Sequence, residues 1–122
     1  MTPRVIIPTE DKDGRMVAAH FGRAPFFTVV DIKEDGTIAQ SETHPNTGSH
    51  RGGKGHAHDN VLMYDPNVVI VSGMGPRGIR GFQDASIAVL KADSERVENV
   101  LQSYIKGSLS ELTDGCVDAH HK

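Results

Sequence analysis

The sequence predicts one α/β domain in which a mixed, five-stranded sheet carries helices on its faces. Three observations lead there. Val68–Val71 and Ile87–Leu90 are continuously apolar, as strands covered on both faces of a parallel sheet are. Helix-like stretches separate and follow these runs, so the second half reads as βαβ with a right-handed crossover. The first half contains Asp35-Gly36, whose preference for positive φ marks a hairpin and therefore antiparallel pairing. With 122 residues, the chain has room for one such domain and not for two.

The elements follow in order. Arg4 to Pro8 is a short apolar run closed by proline, a first strand. Thr9 to Gly14 is polar and turn-like, and Arg15 to Arg23 is irregular. Phe26 to Ile32 is rich in β-branched and aromatic residues and reads as the second strand, with Thr37 to Ser41 returning antiparallel to it. Glu42 to Gly55 has no apolar periodicity and is predicted to be a long loop of the kind that carries function. Ala57, Val61, Leu62 and Tyr64 suit one face of a helix over His56–Asp65, ended by Pro66. After the strand Val68–Val71, Gly73 to Gly75 turns the chain and Pro76 opens a helix whose inner face holds Ile79 and Phe82. Beyond Ile87–Leu90, Val97, Val100, Leu101, Tyr104 and Ile105 form the apolar stripe of a last helix. Ser94 or Asp93 is predicted to cap it and Gly107 to stop it. The domain is thus assigned to residues 1–107, with 108–122 a polar, fraying tail.

Bulk properties exclude several classes. The net charge of −3 gives no global attraction to nucleic acid or to an anionic membrane. No apolar run approaches the roughly 20 residues of a membrane span, and the first residues do not form a signal peptide. Cys116 is the single cysteine, so no intramolecular disulfide framework exists. The expected location is the cytoplasm, and the expected state a monomer or weak homodimer.

Three segments are expected to converge at the carboxyl ends of the parallel strands, where ligands of open α/β sheets sit. They are His20–Arg23, Gly48–His56 and Gly73–Gly78. The last two each feed a helix N-terminus, where unpaired N–H groups and the helix dipole favour an anion. Arg23, Gly53, Lys54, Gly73, Gly75 and Arg77 are the candidate anion-binding residues, with Arg51 and Arg80 either joining them or serving as solvated surface. Gly48–Lys54 approaches the phosphate-cradling pattern, but Gly55 stands where the magnesium-binding hydroxyl belongs, so nucleotide hydrolysis is not expected.

Histidine is frequent, with seven in the chain. His44, His50, His56 and His58 crowd one loop and helix start, while His120 and His121 accompany Cys116. Imidazole and thiolate suit late first-row metals, and His20, His56, His58 and Cys116 are the candidate metal ligands. Neither His56-Ala57-His58 nor Cys116 with His120 has the spacing of a closed zinc site, and His44, His120 and His121 are better read as exposed, solvated histidines. His20 lies between strands, where a buried or semi-buried imidazole needs a partner, and it reads equally as a ligand or as a structural histidine. No nucleophile stands in a recognisable elbow, and Asp31 has no second carboxylate for two-metal chemistry. An enzyme is not expected.

His20-Phe21-Gly22-Arg23-Ala24-Pro25-Phe26-Phe27 with Val29-Val30-Asp31 resembles the opening motif of the dinitrogenase iron–molybdenum cofactor biosynthesis family. Val71-Ser72-Gly73-Met74-Gly75-Pro76-Arg77 is similar to that family's second motif, and the resemblance spans about residues 4–107. It implies a ribonuclease H-like fold and a binder of metal clusters such as the orange protein, with His20 touching the cluster and Arg23 nearby. A nuclease is not implied, since Val5-Ile6-Ile7 lacks the carboxylate that activity needs. The chain departs from the family pattern at Gly55-His56-Ala57-His58, at Gly78 and Gly81, and at Asp84-Ala85-Ser86.

Three functions follow as alternatives. One is a carrier or scaffold for an anionic metal–sulfur cluster, Fe/Mo or Mo/Cu, served by a donor or acceptor protein. Another is a binder or sensor of Zn, Ni or Cu ions through the histidine-rich loop and tail. The last is a regulatory or interaction domain without a cofactor.

Overall fold

The computed structural model describes residues 3–46 and 61–112. The strands are β1 (Arg4–Thr9), β2 (Phe26–Ile32), β3 (Ile38–Pro45), β4 (Val68–Val71) and β5 (Ala88–Lys91), and the helices are α1 (Pro76–Asp84) and α2 (Val97–Lys106). A single 3-10 turn, Phe21–Arg23, lies between β1 and β2. The strands form one sheet in the order β3-β2-β1-β4-β5. β1 runs antiparallel to β2 and parallel to β4, and β4 runs parallel to β5. The predicted mixed five-stranded sheet with helices on its faces is therefore what the chain adopts.

Alternation along the strands sends side chains to two cores. Ile6, Phe27, Val29, Val69, Val71 and Val89 point to the face covered by Ile79 and Phe82 of α1. Val5, Ile7, Val30, Ile32, Val68 and Ile70 point to the face covered by Val97, Val100 and Leu101 of α2. Both helices place an apolar stripe on the sheet, and Phe82 and Ile79 are fully buried.

Some boundaries differ from expectation. β3 continues to Pro45, so Glu42–Pro45 belongs to a strand and not to the loop assigned from sequence. The reason is its place at the sheet edge: its residues are almost all exposed, so they carry no hydrophobic alternation, yet each pairs across to β2, from Gln40↔Asp31 to Pro45↔Phe26. Of the helix predicted over His56–Asp65, the described part begins at Val61, which is helical and fully buried against the α1 core. α2 starts later than predicted, with Arg96 at the N-cap and no side-chain cap. Ser94 instead accepts hydrogen bonds from the Arg96 N–H (3.1 Å) and Asn99 Nδ2 (3.3 Å), and Asp93 accepts from Ser103 (2.6 Å). Gly107 ends the helix in the left-handed conformation, as expected.

Residues 108–112 run back along β5. The Lys91 N–H donates to the Ser110 carbonyl (2.8 Å), the Leu112 N–H to the Val89 carbonyl (2.7 Å), and Leu112 packs on the α1 core. The outer edge of β5 is thereby covered.

The segment joining β1 to β2 is held by two local devices. Asp11 accepts hydrogen bonds from the Arg15 and Met16 N–H groups, which keeps its carboxyl below the usual range, the Met16 bond contributing most. Gly14, at φ +69°, lies over a ladder of threonine hydroxyls. These are Thr9, Thr28 and Thr43, with Oγ–Oγ distances of 3.2 and 3.0 Å. A Cβ at Gly14 would stand 2.5 Å from the hydroxyls of both Thr28 and Thr43, so glycine is required there for space as well as for φ.

Candidate functional site

β1 and β4 are neighbours in the sheet, but the chain leaves their carboxyl ends in opposite directions. From β1 it passes to β2 and β3, and from β4 it passes to β5. This is a topological switch point, and a crevice opens there between the two outgoing loops. Ala19, His20, Phe21 and Gly22 form one wall and Gly73, Met74, Gly75 and Gly78 the other, around a volume of about 470 Å³. The two loops come close at Gly73, where an added Cβ would meet the Ala19 carbonyl at 3.5 Å.

The first wall is anchored by its aromatic residue. Phe21 turns inward, with ring centroids 5.6 Å from Phe27 and 5.5 Å from Phe82, the latter edge-to-face. The Ala18 N–H donates to the Pro8 carbonyl (2.8 Å), fixing the entry to the loop. Asn46 holds the exit: its backbone N–H donates to the Pro25 carbonyl (2.8 Å) and its Nδ2 to the Ala24 carbonyl (2.8 Å). His20 precedes the 3-10 turn in extended conformation, and its imidazole is exposed. Of the two roles open from the sequence, the buried structural histidine is therefore not the one the chain adopts. Once Phe21 takes the inward position, its neighbour His20 faces solvent at the pocket.

The second wall leads into α1. Its N-cap is Gly75 and its first residue Pro76, which has no N–H to leave unpaired. The Arg77 and Gly78 N–H groups precede the first helical hydrogen bond, from the Ile79 N–H to the Gly75 carbonyl (3.2 Å). Gly75 has no side chain with which to cap them, so the positive end of the helix dipole meets the crevice as bare backbone. Gly22 and Gly75 have nothing within 4 Å of an added Cβ, so a ligand can approach the main chain on both sides.

Of the residues singled out in the sequence, His20, Gly73 and Gly75 meet in this crevice. Arg77 is the second residue of α1 and Arg23 the last of the 3-10 turn; both are exposed and neither lines the pocket wall. Gly53, Lys54, His56, His58 and Cys116 lie outside the described residues. Met74 and Lys91 are additional. Met74 is a wall of the crevice. Lys91 ends β5 and donates from Nζ to the Ser72 carbonyl (3.3 Å), which places an ammonium beside the turn that forms the second wall. A lysine at the carboxyl end of a parallel strand is the signal that could have indicated it. Asp31, by contrast, is tied up by Arg4: Nε donates to Oδ1 (2.8 Å) and Nη2 to Oδ2 (3.3 Å), while Nη1 reaches the Tyr64 carbonyl (2.8 Å).

The chemistry of this donor set can be judged against the groups it is expected to hold. Among the described residues no three His, Cys, Asp or Glu side chains come together as a metal-ion cage. The crevice is also far larger than one ion, and its volume lies within the roughly 300–1,000 Å³ of small-ligand sites. Backbone N–H groups, a helix N-terminus, one imidazole and nearby cations suit a compact anionic group carrying its own metal. A larger groove of about 970 Å³, floored by Val97, Leu101 and Ile105, follows α2 on the other face of the sheet and contains none of the motif residues.

Fold and geometry together define a small α/β domain with an open crevice at the switch point of a mixed sheet. The chain belongs to the family described as dinitrogenase iron-molybdenum cofactor, which it matches over residues 3–107. It is 29% identical over 103 residues to an uncharacterized protein of Methanocaldococcus jannaschii, covering 82% of this chain and 86% of that one. Among solved structures it is similar to a Thermotoga protein assigned as a NifB protein, at 25% identity and a TM-score of 0.74, over 91% of this chain and 94% of that one. It also shares its fold with the apo form of the orange protein from Desulfovibrio gigas, at 20% identity and a TM-score of 0.76, over 92% and 94% of the two chains. None of the described helices is long and apolar enough to cross a membrane.

Proposed function

We propose that the switch-point crevice binds an anionic metal–sulfur cluster related to the iron–molybdenum cofactor, and that the protein carries or stores it for assembly. The observation that supports this reading is the convergence of the two family motifs on one open pocket at the N-terminus of α1. In this reading His20 supplies a nitrogen ligand from the first wall. The Arg77 and Gly78 N–H groups, with Lys91 and the guanidinium groups of Arg23 and Arg77, offset the cluster's negative charge. Gly53, Lys54, His56, His58 and Cys116, which lie outside the described residues, belong to the same proposal.

Such a role needs no acid–base pair and no nucleophile. Cargo held mainly by charge and by one imidazole can leave, as transfer to an acceptor protein requires. The donor and acceptor proteins and the cytoplasm as the place of transfer belong to the same proposal.

The test is elemental analysis with a visible spectrum on protein purified anaerobically from its native host. Iron or molybdenum with sulfide and a coloured band are expected, and His20→Ala should lose the colour while keeping the wild-type circular dichroism. Protein that stays colourless and metal-free after exposure to a cluster donor would overturn the proposal.

A further inference from the structure

The crevice contains one donor atom of a different character from the rest. Met74 stands on the second wall, opposite His20, and is half-buried against the α1 core. Its side chain lies flat across Gly78. A Cβ at Gly78 would be 2.8 Å from Met74 Cγ and 2.9 Å from Sδ, distances that real Cβ atoms do not show. Glycine at position 78 is thus what allows the thioether to rest at the start of α1, inside the pocket. Met16 and Met63 are outside it, 38% and 79% exposed.

Among the described residues the walls offer side-chain donors of two kinds, an imidazole and a thioether, and no described carboxylate, thiolate or hydroxyl lines them. Hard cations take oxygen ligands, which this set lacks. A thioether selects soft metals, Cu(I) foremost, and imidazole is compatible with the same metal. Besides a flexible, space-filling chain, methionine brings a polarizable sulfur to this wall.

We infer that Met74 Sδ is a second metal-facing donor and that, with His20, it gives the crevice a preference for a soft, thiophilic metal centre of the Cu(I) type. The inference rests on the reading of this pocket as the one that faces metal. It adds the kind of metal that the cargo turns toward the protein.

The test uses Ag(I), a redox-inert monovalent ion of the same softness, added to the full chain carrying Cys116→Ser so that the single thiol does not capture it. The chain is labelled with ¹³C at its methionine methyl groups. The Met74 methyl resonance should move first and saturate at one equivalent, ahead of Met1, Met16 and Met63. Met74→Leu, a swap that conserves volume, should weaken Ag(I) by at least the roughly tenfold that loss of an outer-shell partner costs a metal site. Gly78→Ala, which keeps the sulfur but displaces it, should weaken Ag(I) as well. A Met74 resonance that does not respond, or a Met74→Leu protein that binds Ag(I) as tightly as its parent, overturns the inference. If the protein binds a coloured cluster and Met74→Leu binds it equally well, the carrier reading stands and the assignment to Met74 falls. If Ag(I) binds at Met74 but no cluster is ever taken up, the soft-metal site stands and the carrier reading falls.

Discussion

Gly14→Ala would put a methyl group into the threonine ladder. The new Cβ would stand 2.5 Å from the hydroxyls of Thr28 and Thr43 and 3.3 Å from Thr28 Cγ2. Two penalties add. A residue with a Cβ at φ +69° pays about 1–2 kcal/mol for the left-handed conformation. Overpacking costs a further ~1–3 kcal/mol, because Thr28 is 2% exposed and its hydroxyl cannot swing away without breaking the Thr9–Thr28–Thr43 chain. The expected loss is therefore about 2–5 kcal/mol, out of the roughly 5–15 kcal/mol that holds a small domain together. Gly107→Ala is the internal control. Its φ of +74° is nearly the same, but nothing lies within 4 Å of its Cβ position, so only the backbone cost of about 1–2 kcal/mol applies. Urea denaturation of the two variants and the parent, with a common m-value, measures the difference directly. Gly14→Ala should be the worse by at least about 1 kcal/mol. Equal losses would refute the close packing of residues 11–16 on β2 and β3.

Three further outcomes are expected. Phe21→Ala removes the ring that rests on Phe27 and Phe82 and should cost about 3–5 kcal/mol, with binding at the crevice lost as the first wall loosens; thermal melts with a binding titration check this, and unchanged binding would contradict the anchoring role. Asp11 has a folded-state pKa below its unfolded value, so its contribution is full above about pH 4 and fades as pH falls through the folded value. The stability gap between parent and Asp11→Asn, measured in urea, should accordingly narrow as pH falls below about 4, and a gap independent of pH would refute it. Arg4→Met breaks a partly exposed pair with Asp31 and should cost about 1 kcal/mol or less, shrinking in ~1 M salt; a larger, salt-insensitive loss in denaturation would point to the Tyr64 carbonyl contact instead.

The sheet was readable because its information is local. The apolar blocks Val68–Val71 and Phe26–Ile32, the Asp35-Gly36 turn and the Pro76 helix start each declare themselves within a few residues. The far half of β3, Glu42–Pro45, did not, because an exposed edge segment of Glu, Thr and His is stabilised by its partner and not by its own pattern. His20, Gly73 and Gly75 were found for a topological reason, since they follow strands whose carboxyl ends must meet. The exposure of His20 was hidden, because which of two adjacent side chains turns inward depends on Phe82, more than sixty residues away. Met74 escaped notice for a related reason. A methionine between glycines reads as filler until the helix turn carrying Gly78 is seen beneath it.

The strap over β5 bears on where the chain can be shortened. The family match ends at residue 107, and a variant trimmed there would keep every strand and both helices. It would also strip the Ser110 carbonyl from Lys91 and the Leu112 N–H from Val89, and remove the Leu112 side chain from the core. A bare parallel-strand edge would then face solvent beside uncovered apolar surface, a ready template for pairing with a second molecule. A chain cut after Gly107 should self-associate in sedimentation, whereas one cut after Leu112 should behave as the full chain does. The five residues beyond the last helix thus serve as a guard against edge-to-edge assembly.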